Sequence, residues 1–79
     1  MDDHMIYRIN EEIKLCFLLT SLELKKCPNK EDNINFKAAK ELIKTYNALV
    51  RLYYKPEYHK DFLYKSINNA WKQYIDNEV

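Results

Sequence analysis

Between Phe36 and Lys55 the apolar and cationic residues separate onto opposite sides of one helix. At about 100° per residue, Ala39, Leu42, Ile43, Tyr46, Leu49, Val50 and Tyr53 fall on one side. Lys37, Lys40, Lys44, Arg51 and Lys55 fall on the other, with Ala48 in the same row. A segment of this kind is a helix that packs through its apolar stripe and leaves its basic stripe in solvent.

Two further helices flank it. Over residues 3–25, Ile6, Ile9, Ile13, Cys16, Phe17, Thr20 and Leu24 share a face. Asp2 or Asp3 suits the start of this helix, and Lys25 and Lys26 suit its negative end. Residues 26–33 form a polar connector in which Pro28 stops the first helix and Asp32 or Asn33 caps the second. The second helix covers residues 34–54 and ends at Lys55-Pro56, because a proline drives the preceding residue out of the helical region. Pro56 opens the third helix, residues 56–76, whose inner face carries Leu63, Ile67, Ala70, Trp71 and Tyr74. Short links make neighbouring helices antiparallel. The expected fold is an all-α, single-domain three-helix bundle, with an open corner at Pro56 as the alternative to a closed one.

Composition supports the all-helical reading. The chain has no glycine and only two prolines in 79 residues. Glycine-dependent hairpins, phosphate-cradling loops and dinucleotide fingerprints are therefore excluded. The abundance of Asn, Lys, Ile and Tyr fits an AT-rich genome such as that of a low-GC bacterium, its phages or plasmids, or of certain protists. A domain of this size buries only roughly 60–65% of its unfolded surface, so oligomerisation is a common supplement. Cys16 and Cys27, eleven residues apart, read as free thiols of a reducing, cytoplasmic compartment. The acidic start and the short apolar run from Leu15 to Leu19 resemble neither a signal peptide nor a membrane span.

Charge adds polarity. Net charge is only +1, yet residues 1–13 carry Asp2, Asp3, Glu11 and Glu12 against Arg8 alone. Residues 37–60 carry six Lys or Arg against Glu41 and Glu57. No catalytic constellation accompanies this asymmetry. His4 and His59 are the only histidines and share no ligand spacing with other metal-binding residues. A lone Cys27-Pro28 pair is no cofactor motif, and Ser21 and Ser66 have no local histidine to activate them. The chain reads as a non-enzyme without cofactor or metal.

Three surfaces stand out as candidates for binding. Leu15, Leu18, Leu19 and Leu22 form a second apolar stripe opposite the first on the opening helix. Either this helix is central and buried on both sides, or its leucines meet a partner protein or a second copy of the chain. Tyr54, Tyr58 and Phe62 gather beside basic residues at the second break, and Tyr54 lies off the inner stripe of its helix. Such a corner suits a protein interface or base stacking, or simply seals a small core. The basic row Lys37, Lys40, Lys44, Arg51 and Lys55 suits an acidic partner or phosphates, or is the wet face of an amphipathic helix. The leading expectation is a helical protein–protein interaction module, such as a phage- or mobile-element-encoded inhibitor or regulator of a host factor. The alternative is a small nucleic-acid binder using the basic row.

Overall fold

A computed structural model describes residues 3–76 of the chain. It is all-helical among the described residues, with α1 spanning Asp3–Lys26, α2 Ile34–Tyr53 and α3 Glu57–Tyr74. A single 3₁₀ turn, Lys30–Asp32, interrupts the first connector. Each boundary has a local cause. Asn33 caps α2 by accepting from the backbone N–H groups of Asn35 and Phe36, at 2.9 and 3.1 Å. Its Nδ2 also donates to the carbonyl of Cys27 at 3.1 Å, so one buried side chain ties the end of α1 to the start of α2. Pro56 stands one position earlier than its expected role. It occupies the cap position, φ −65°, and α3 begins at Glu57. Of the two aspartates suited to the start of α1, Asp3 is its first described residue and Asp2 lies outside the described residues.

The buried seam of α1 is narrower than the sequence stripe. Ile6, Asn10, Ile13, Phe17 and Thr20 are buried at steps of four and three residues. Cys16, expected on this inner face, is exposed instead, because the seam follows the coiled-coil spacing and Cys16 falls outside it. On α2, Ala39, Tyr46 and Val50 are buried, while Leu42 and Tyr53, both on the predicted stripe, are exposed, Tyr53 as the last residue of the helix. Leu63, Ile67 and Ala70 seat α3, with Trp71 and Tyr74 packed beside them.

The contacts give the helix directions. Tyr7 near the start of α1 meets His59 and Phe62 near the start of α3, and Phe17 meets Trp71 further along both. Phe36 at the start of α2 meets the same Trp71, whereas Tyr54, just beyond its end, meets His59. Thus α1 and α3 run in the same sense and α2 runs opposite to both. The joint at Pro56 is closed, since Lys60 Nζ donates to the Arg51 carbonyl at 3.3 Å and Tyr54 lies against His59. The molecule measures 39 × 22 × 17 Å, close to the length of α1.

A polar node crosses the core. Asn10 Nδ2 donates to the Tyr46 hydroxyl at 2.7 Å, and Ser66 Oγ donates to Asn10 Oδ1 at 3.2 Å. One residue from each helix takes part. Burial pushes the Tyr46 phenol above its ordinary pKa, against the opposing effect of the Asn10 hydrogen bond.

Candidate docking surface

The leucines of α1 lie nearly diametrically opposite its buried seam, so packing α2 and α3 onto that seam leaves them outside. Leu15 and Leu19 are each 54% exposed, Leu22 45% and Leu18 37%. The structure therefore answers one question left open by the sequence: α1 touches both other helices, yet its second apolar face is not consumed by the bundle.

A groove extends this face. It encloses about 550 Å³ between the second half of α1 and the first half of α2. Cys16, Leu19 and Leu22 line it from α1, and Ala38, Ala39 and Leu42 from α2. The two alanines are too small to fill the space between the helices, which makes the surface concave. Glu23, Lys26 and Asn35 add the polar part of its lining. Leucine crest and groove form one apolar surface of the kind that receives an amphipathic helix.

The other two sequence candidates are placed apart from it. On α2 the basic row Lys37, Lys40, Lys44 and Arg51 points about 180° away from Asn35, Ala38 and Leu42. All four cations are exposed, and Lys44 pairs with Glu41 at 3.8 Å. Lys55 is exposed in the link beyond the end of α2, so the helical part of the row stops at Arg51.

The aromatic corner sits at the other end of the bundle, and one of its three members is corrected. Tyr54 is only 1% exposed and belongs to the core, not to a binding surface. As the C-cap of α2 it leaves the helical path with ψ 119°, which turns its ring inward onto His59. The hydroxyl of Tyr54 and Nδ1 of His59 share a hydrogen bond of 3.0 Å. Burial, and then the nearby Asp3 carboxyl, push the Tyr54 phenol up to about 12. Tyr58 and Phe62 do remain exposed, with Phe62 edge-on to Tyr7 at 6.3 Å.

Sequence periodicity did not reveal Asn10 as a buried residue, nor the groove. Asn10 is four residues from Ile6 and three from Ile13, and that spacing was the available signal. No group of three or more metal-ligating side chains exists among the described residues. None of the described helices is long and apolar enough to cross a membrane. Comparison of the chain with protein-family models, curated proteins and solved structures finds no match.

Proposed function

We propose that this protein is a non-enzymatic helical interaction module that docks another protein chain through the leucine face of α1 and the adjoining groove. The observation that carries this reading is the exposure of Leu15, Leu18, Leu19 and Leu22 as one continuous face after the three helices have packed. Desolvating such a face provides the apolar anchor of an interface, and the polar residues at its margins set orientation. Two exposed free thiols suit a reducing compartment, in keeping with action in the cytoplasm. The AT-rich composition fits a regulator or inhibitor carried by a phage or mobile element and aimed at a host protein.

The test is a paired capture experiment using the wild-type chain and Leu18→Arg as baits. A protein, whether foreign or an untagged copy of the chain itself, that is retained by the wild type and lost with Leu18→Arg supports the reading. Identical retention by both baits removes it.

The exposed row Lys37, Lys40, Lys44 and Arg51 supports a second reading, contact with nucleic acid. It predicts affinity for a labelled oligonucleotide that falls steeply with salt and is abolished by Lys40→Glu with Lys44→Glu. The near-neutral net charge of the chain favours the protein partner.

A further inference from the structure

Around the exposed leucines, α1 is a palindrome with inverted charge. Reading outward from the midpoint between Leu18 and Leu19, the next apolar pair is Leu15 and Leu22. Beyond it Lys14 answers Glu23 on the flanks of the helix, and Glu11-Glu12 on one side answer Lys25-Lys26 on the other, each at equal distance from the midpoint. The angular positions are symmetric as well. Glu11 and Lys26 lie within about 30° of the centre of the leucine stripe, and Glu12 and Lys25 about 70° to either side. All four charged residues are exposed.

We infer that the occupant of this face is a second copy of the same chain, with the two α1 helices packed antiparallel about a two-fold axis near Leu18 and Leu19. A two-fold interface requires one surface to complement itself, so that each contact is made twice. In the antiparallel arrangement Leu18 and Leu19 meet at the axis, and Leu15 stands level with Leu22 of the second copy. Glu11-Glu12 stand level with Lys25-Lys26 of the second copy, at both ends of the seam. A parallel arrangement would set carboxylate against carboxylate and lysine against lysine. Charge thus selects both the occupant and its direction.

The present partners of these charges do not compete strongly. Glu11 pairs with the half-buried Lys14, Glu12 with Arg8 and Lys26 with the half-buried Glu23, all within one helix and open to solvent on at least one side. Such pairs contribute little and rearrange readily. The groove beside Leu19 and Leu22, floored by Ala38 and Ala39, gives the leucines of the second helix a place to enter. The inference rests on the leucine face being a docking surface and names what docks there.

A charge-swap experiment tests it by sedimentation at low salt. The wild type is expected to form a dimer. Glu11→Lys with Glu12→Lys places four lysines at each end of the seam, and Lys25→Glu with Lys26→Glu places four glutamates there. Each double variant alone is expected to dimerise at least roughly tenfold more weakly than the wild type, since like charges then face each other. An equimolar mixture of the two is expected to recover wild-type association as a heterodimer. All the altered side chains are exposed, and an unchanged helical circular dichroism spectrum checks the fold of each variant.

A wild type that stays monomeric at high micromolar concentration overturns the dimer. If that monomer still captures a protein in a Leu18-dependent way, the docking face survives and only its occupant is wrong. Without such capture, both readings fall. A wild-type dimer whose strength is unaffected by either double variant overturns the antiparallel pairing.

Discussion

Single side chains decide how this small core is pinned. The Asn10–Tyr46–Ser66 node joins three helices through two hydrogen bonds, and it stands where an all-apolar core would leave the helices freer to slide. Tyr46→Phe removes the acceptor of Asn10 Nδ2 and strands a buried donor. The expected destabilisation is about 1–3 kcal/mol, read from urea unfolding. Tyr54 makes the second prediction. Below pH 10 its phenol is protonated in both folded and unfolded chains, so it adds no pH dependence. Between pH 10 and about 12 the unfolded chain releases that proton more readily than the folded one, so stability falls as pH rises through this window. Tyr54→Phe is expected to flatten that alkaline loss in a series of unfolding midpoints, while an unchanged slope would contradict the assignment. Neither residue's role was fully legible in the sequence. Tyr46 lies on the apolar stripe, but its partner Asn10 is polar, and only the packing of α1 against α2 brings the two together. Tyr54 sits off the stripe because it lies past the last helical residue, where the 100° rule no longer applies.

At the level of the helices, far more could be read in advance. The three segments and their stops at Pro28 and Pro56 follow from local chemistry that acts within a few residues, and of the two residues suited to cap α2, Asp32 and Asn33, the structure uses Asn33. Asn33→Ala is expected to cost about 1–2 kcal/mol from the lost cap, with a further loss from the Cys27 carbonyl it leaves unpaired. A melting comparison with Asn33→Asp, which keeps an acceptor for the cap and loses the donor to Cys27, separates the two effects. Periodicity also showed that α1 carries apolar residues on two sides. It could not show which side the other helices would choose, because that depends on how two remote segments pack. The bundle took the Ile6–Phe17 seam and left the leucines outside. The groove escaped detection for the same reason, since its floor of Ala38 and Ala39 belongs to a different helix from its leucine wall.

For the molecule as a whole, stability and association are linked. A domain of this size is held by about 5 kcal/mol or slightly more, so truncating a central side chain approaches the entire margin. Phe17→Ala, which also removes the edge-on contact with Trp71 at 5.4 Å, is expected to cost about 3–5 kcal/mol and to leave the fold only marginally stable. Leu18→Arg acts at a partly exposed position outside the core and should leave the isolated fold intact. Pairing through α1 would cover the apolar face that the fold leaves exposed and would stabilise the chain by mass action. The most direct measurement is therefore the solution mass of the wild type and of Leu18→Arg, compared by sedimentation equilibrium at the same high micromolar concentration. The account predicts a dimeric wild type and a monomeric, still helical Leu18→Arg. Equal masses for the two proteins, whether both monomeric or both dimeric, would contradict it.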